Sequence, residues 1–145
     1  MYARQPAFPP QNFMPTIPQR MKIQSESWLT DQFEPELVSV IVPTYNRERW
    51  IGETLDSLHA QTWTPLEVIV VDDGSTDGTA KLLEKRSLRG DRMRVITQAN
   101  AGVSAARNAG TQASRGEFII YLDSDDLLFP EAIRNYVESL INGES

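Results

Sequence analysis

Phe118-Ile119-Ile120-Tyr121-Leu122-Asp123-Ser124-Asp125-Asp126 passes from an unbroken apolar stretch directly into a cluster of carboxylates. A short apolar run bounded by turn-forming residues reads as a buried strand, so these acids leave a strand end. Val68-Ile69-Val70-Val71-Asp72-Asp73-Gly74-Ser75 shows the same pattern upstream. In an open α/β sheet the carboxyl ends of the strands open into the ligand crevice. Clustered carboxylates are costly there unless something positive or hydrogen-donating lies between them. A divalent cation carrying phosphates, with a nucleoside offering N–H and hydroxyl donors, would satisfy both clusters.

Outward from these strands the chain alternates. Leu37–Val42 is a β-branched run expected to end at Pro43, which cannot donate to a central ladder. Trp50, Ile51, Thr54, Leu55 and Leu58 recur at helical spacing within Arg47–Gln61, with Asn46 as the expected N-cap. Glu67–Val71 is the second strand, and Ser75 to Asp77 supply cap oxygens for a helix reaching about Ser87. Met93–Thr97 is a shorter strand and Val103–Ala113 a helix of small residues. After Glu117–Leu122, Pro130 is expected to open a last helix through Ile133, Val137, Leu140 and Ile141. This β-α-β-α-β-α-β-α order predicts a Rossmann-like α/β domain over residues 37–145, with a mostly parallel sheet and helices on both faces.

Composition narrows the function classes. Six of the nine prolines lie in the first 35 residues and all eight glycines after residue 51, so residues 1–36 read as a disordered, proline-rich arm. There is no cysteine for disulfides or thiolate metal sites, and a lone histidine, His59, speaks against zinc or Ser-His-Asp chemistry. A net charge of −6 argues against nucleic acid as a partner. With no apolar stretch near the roughly 20 residues of a bilayer span and no signal-like N-terminus, the expectation is a cytoplasmic protein, soluble or peripheral at the inner membrane face.

Each acidic cluster has a plainer reading. Asp123-Ser124-Asp125 can converge on one ion, or divide between an ion and a ribose, since residues two apart point the same way. It can also be a solvated turn capping the next helix. One carboxylate of Asp72-Asp73 can cap a turn before Gly74 and Ser75 while the other faces the crevice and accepts from a base or ribose. Tyr45 can lie against a nucleobase or be an ordinary boundary aromatic. Arg107 can pair with an acidic cluster or a diphosphate, or sit on a solvated helix face.

Taken together, four motifs resemble the nucleotide-sugar-binding half of family 2 glycosyltransferases, which have the GT-A fold. They are Pro43-Thr44-Tyr45-Asn46, Val70-Val71-Asp72-Asp73-Gly74-Ser75-Thr76-Asp77, Asn100-Ala101-Gly102 with Ala106-Arg107-Asn108, and Tyr121-Leu122-Asp123-Ser124-Asp125-Asp126. The resemblance implies sugar transfer from a nucleotide-diphospho-sugar, commonly a UDP-sugar, with Mn2+ or Mg2+ as cofactor. It implies that Pro43, Thr44 and Tyr45 line the base pocket, that Asp73 accepts from the base, and that Glu48 lies near the nucleoside. Asn100 and Arg107 match positions close to the donor, Asp123 would face the ribose or sugar, and Asp125 would hold the metal. The acceptor, whether glycan, lipid or protein, is not specified.

Members of the family continue beyond the metal motif into an acceptor-binding half that carries the base for inverting transfer, so the catalytic base is expected beyond Ser145 and the fold is expected to be truncated. A non-catalytic nucleotide-sugar-binding remnant is the alternative. A receiver-like Mg2+-binding signalling domain is a third reading. It would need its acidic pair after the first strand, where Pro43-Thr44-Tyr45 stands instead, and a lysine after the last, where none follows Lys85.

Overall fold

The computed structural model describes residues 2–4 and 33–143. Its elements are β1 (Tyr2–Arg4), β2 (Glu34–Thr44), α1 (Ile51–His59), β3 (Leu66–Asp72), α2 (Thr79–Leu88), β4 (Arg94–Thr97), α3 (Val103–Ala113), β5 (Gly116–Tyr121) and α4 (Ala132–Ile141). The sheet order is β1-β5-β2-β3-β4, parallel throughout except where β1 pairs antiparallel with β5. β2 is central because its run from Leu37 to Thr44 is buried throughout, which only a strand covered on both faces sustains. The chain leaves β2 toward β3 on one side and returns to β5 on the other. That reversal is a topological switch point, and it puts the crevice beyond the carboxyl ends of β2 and β5.

Most of the core lies on one face. There Val38, Val40 and Val42 of β2, with Phe118 and Ile120 of β5, meet Ile51, Leu55 and Leu58 of α1, Leu83 of α2, and Ile133 and Val137 of α4. On the other face α3 packs on Ile69 and Val71 through Ala106, Ala109 and Ala113. Gly110 makes that approach close: a Cβ there would lie 2.4 Å from Ile41 Cγ2 and 3.3 Å from Val71 Cγ2. Both neighbours are fully buried and β-branched, so they cannot yield. Gly110→Ala should therefore lift α3 off the sheet and cost about 2 kcal/mol despite alanine's better helix propensity. Urea unfolding will show this as a lower midpoint; an unchanged or raised midpoint would contradict the packing described.

Several local expectations are corrected. β2 does not end at Pro43: that residue pairs with Val71 and the strand runs on to Thr44. Proline is tolerated because its missing N–H falls on the β5 side, where the pairing ends at Ile41 with Tyr121. Asn46 is not an N-cap, because α1 starts at Ile51 after Trp50. It has φ 52, and its Oδ1 accepts from Thr76 N at 2.7 Å and Asp77 N at 3.2 Å, joining two strand-end loops. Pro130 lies two residues before α4, and its carbonyl accepts from Thr62 N. The N-cap of α2 is Gly78, and Asp77, one residue ahead of it, accepts from Thr79 N at 2.9 Å through Oδ1. Of the arm read over residues 1–36, both ends are strand, Tyr2–Arg4 in β1 and Glu34–Glu36 in β2; residues 5–32 lie outside the described residues. Among the described residues no helix is long and apolar enough to cross a membrane.

Candidate functional site

A cleft of about 300 Å³ opens where the switch point predicts. The end of β2 contributes Pro43, Thr44, Tyr45 and Arg47; β3 contributes Asp73; β5 contributes Asp123, Ser124 and Asp125; Val103 and Ala106 of α3 form the remaining wall. Both acidic clusters therefore meet in one cavity. Tyr45 is partly exposed at its edge, whereas Thr44 is buried and its hydroxyl has no partner among the described residues. A buried hydroxyl left unpaired costs about 1–3 kcal/mol, which a polar ligand group entering the cleft would relieve.

Beyond β5 the chain turns tightly, with Asp126 N donating to Asp123 O at 3.0 Å. The turn brings one carboxylate oxygen from each of Asp123, Asp125 and Asp126 within 4.8 Å of one another. Three like charges so close repel unless a cation intervenes. An all-oxygen set without nitrogen or sulfur suits Mg2+ or Mn2+, so these residues fit the metal that the resemblance implied. Arg107 reaches the same turn from α3, its Nη2 3.5 Å from Asp123 Oδ1, while its buried Nε has no partner among the described residues.

Asp73 is held differently. Its Oδ1 accepts from Gln98 Nε2 and Ala101 N, both at 2.8 Å, and its Oδ2 from Gly102 N at 2.9 Å and Asn100 Nδ2 at 3.3 Å. Four donors match the roughly four acceptor sites of a carboxylate. Led by the Gln98 amide, with the Ala101 and Gly102 N–H groups adding to it, they outweigh burial and hold its pKa below the ordinary value. Asp73 thus anchors the loop from Gln98 to Gly102, on which α3 and Arg107 depend. Asp72 plays the turn role, its Oδ1 accepting from Ser75 N at 3.0 Å.

Six predicted residues meet in the cleft: Pro43, Thr44, Tyr45, Asp73, Asp123 and Asp125, with Arg107 at its acidic end. Two are placed elsewhere. Glu48 is turned away, its Oε2 accepting from Gly78 N at 3.1 Å ahead of α2, because the Asn46 bridge already draws these loops together. Asn100 supports the wall from behind, donating to the Asp73 carbonyl and carboxylate. Arg47 was missed. Its guanidinium lies 5.8 Å from the Trp50 ring centre and donates to the carbonyls of Tyr45 and Asn46. Its position directly after the Pro43–Asn46 motif was the available signal.

A family model described as Glycosyl transferase family 2 matches residues 39–145. The chain belongs to glycosyl transferase family 2. It is 49% identical over 90 residues to the uncharacterized glycosyltransferase EpsJ of Bacillus subtilis, covering 62% of this chain and 26% of that protein. Across eight such relatives the aligned part is between 10% and 32% of their length. Among solved structures, Staphylococcus aureus TarS 1–349 in complex with UDP-GlcNAc matches with TM-score 0.66 and 38% identity over 72% of this chain and 31% of that one. The mannosyltransferase PcManGT from Pyrobaculum calidifontis, in complex with GDP-Man and Mn2+, matches with TM-score 0.58 and 34% identity over 62% of this chain and 28% of that one. The α/β sheet of this family 2 chain is thus the nucleotide-sugar transferase fold of the GT-A type, represented here over part of its length.

Proposed function

We propose that this chain binds the donor in glycosyl transfer: a nucleotide-diphospho-sugar, most simply a UDP-sugar, together with Mn2+ or Mg2+, for transfer to an acceptor hydroxyl with inversion. The observation that carries this reading is the convergence of the Asp123, Asp125 and Asp126 carboxylates on one turn, two of which, Asp123 and Asp125, line the same cleft as Tyr45. Two neighbours bound to UDP-GlcNAc and to GDP-Man with Mn2+ support it. Tyr45 offers a ring face to the base, a contact worth about 1–3 kcal/mol in stacking, and the unpaired Thr44 hydroxyl supplies a hydrogen-bond partner on the cleft wall. Asp125 and Asp126 would hold the cation, and Asp123 would divide between it and the donor's ribose or sugar. When bound, that cation offsets the charge of the departing diphosphate. Arg107, whose Nη2 lies 3.5 Å from Asp123 Oδ1, would add positive charge beside the same turn.

In this reading Asp73 holds the wall rather than the base, since its acceptor sites are already used. The receiver-like alternative loses its support, because β2 ends in Thr44 followed by Tyr45, with no acidic pair. Calorimetry is the direct test: the 145-residue chain should bind UDP with Mn2+ present and lose most of that affinity when the metal is chelated. Equal affinity with and without the metal would remove the proposal. Glycosyl transfer or donor hydrolysis by the same chain would decide against a non-catalytic remnant.

A further inference from the structure

Thr54 reads as a core position from its helical spacing, and it is fully buried, yet its hydroxyl has a task that packing does not require. A helical threonine ordinarily turns its hydroxyl back to the carbonyl one turn earlier. Here Oγ1 donates instead across the core to Ser124 O at 2.9 Å, and Ser124 is itself buried between Asp123 and Asp125. Ser57 follows on the same helix face, and Gln61 lies just past the end of α1. Ser57 Oγ accepts from Leu128 N at 3.3 Å, and its own proton goes to Thr54 O at 2.7 Å. Gln61 Nε2 donates to Phe129 O at 2.8 Å, and its Oε1 accepts from Ile133 N at 3.1 Å. From Thr54 to the helix end at His59 the rise is about 7.5 Å, with Gln61 two residues further on. Thr54, Ser57 and Gln61 together supply side-chain partners to the stretch that leads from β5 into the first turn of α4.

We infer that Thr54, continued by Ser57 and Gln61, is a positioning residue for the Asp123–Asp126 turn, setting its affinity for a divalent cation without touching donor or metal. The inference rests on the metal-dependent donor binding proposed above. The physical reason is geometric. The carbonyl held by Thr54 belongs to the residue separating two ligand carboxylates, so its orientation fixes the directions in which both side chains leave the backbone. A turn held this way is ready for the cation, whereas a free one must be ordered at the moment of binding.

The test compares two probes on the 145-residue chain: UDP with Mn2+, which needs the acidic turn, and uridine, which has no phosphates and needs only the Tyr45 side of the cleft. Thr54→Val keeps the shape and removes the donor. Its Kd for UDP with Mn2+ should rise roughly tenfold, the scale seen when the partners of metal ligands are removed. Uridine affinity should stay as in the wild type, and Thr54→Ser should restore metal-dependent binding. Should Thr54→Val fail to fold by circular dichroism, Ser57→Ala carries the test, with a smaller loss in the same probe. Wild-type affinity in the folded variants, or equal weakening toward both probes, overturns the inference. Absence of Mn2+-dependent UDP binding in the wild type itself instead removes the functional reading, and this inference with it.

Discussion

Replacing Asp125 with alanine should weaken UDP binding in the presence of Mn2+ by roughly 100-fold, about 2.7 kcal/mol, while leaving the fold unchanged. Asp125 is exposed on the turn after β5, so its removal takes nothing from the core; surface substitutions usually stay within about 0.5 kcal/mol. Its value lies in the ligand set. Asp123 is partly drawn toward Arg107 Nη2 at 3.5 Å. Without Asp125, only Asp126 and a shared Asp123 would face the cation, and hard divalent ions are held by the number and charge of their oxygen ligands. Titration calorimetry with and without Mn2+ would separate the terms: the variant should bind UDP as weakly as the chelated wild type. Metal-dependent affinity within threefold of the wild type would place the cation elsewhere.

The second large effect is on stability and its pH dependence. Asp73→Asn keeps the size of the side chain but replaces one acceptor oxygen by a donor, aimed at an N–H of Gly102 or Ala101. Losing charge-assisted hydrogen bonds and leaving buried backbone donors unpaired should cost about 3 kcal/mol. Because the Gln98 amide and the loop N–H groups hold the Asp73 pKa below its ordinary 3.8, the unfolded chain takes up this proton first on acidification. The contribution is therefore complete above 3.8 and disappears as pH falls through the folded value. Asp91 behaves alike, through the Arg86 guanidinium first and then Arg89. Urea unfolding from neutral pH into the acid range should show wild-type stability falling below that point, with a shallower fall for Asp73→Asn. Identical acid slopes for the two proteins would mean that Asp73 is not the anchor described.

Legibility differed between parts of the molecule for physical reasons. The four parallel strands and four helices stood out because each is a local pattern of apolar residues and punctuation. β1 did not: Tyr2–Arg4 is only three residues and acquires strand geometry by pairing with Phe118 to Ile120. Thr44, Tyr45, Asp123 and Asp125 were readable as cleft residues since they directly follow strand runs, and the strand ends share one edge. Glu48 and Asn100 were matched to a motif but lie one layer back, each held by a backbone partner about 30 residues away in sequence. Thr54 could be seen as buried but not as a donor, since Ser124 is 70 residues further along.

Alternation of apolar runs with acidic punctuation was enough, on its own, to settle the α/β class and the edge of the sheet that carries the chemistry, because both follow from periodicity and from the direction of each strand. Strand order, the division of labour between Asp72 and Asp73, the left-handed turn at Asn46 and the ladder on α1 were decided only when the chain folded. Each depends on a hydrogen bond whose donor and acceptor belong to different elements. Which ones come within 3 Å is set by the register of β2 against its neighbours, a quantity that no local window of sequence contains.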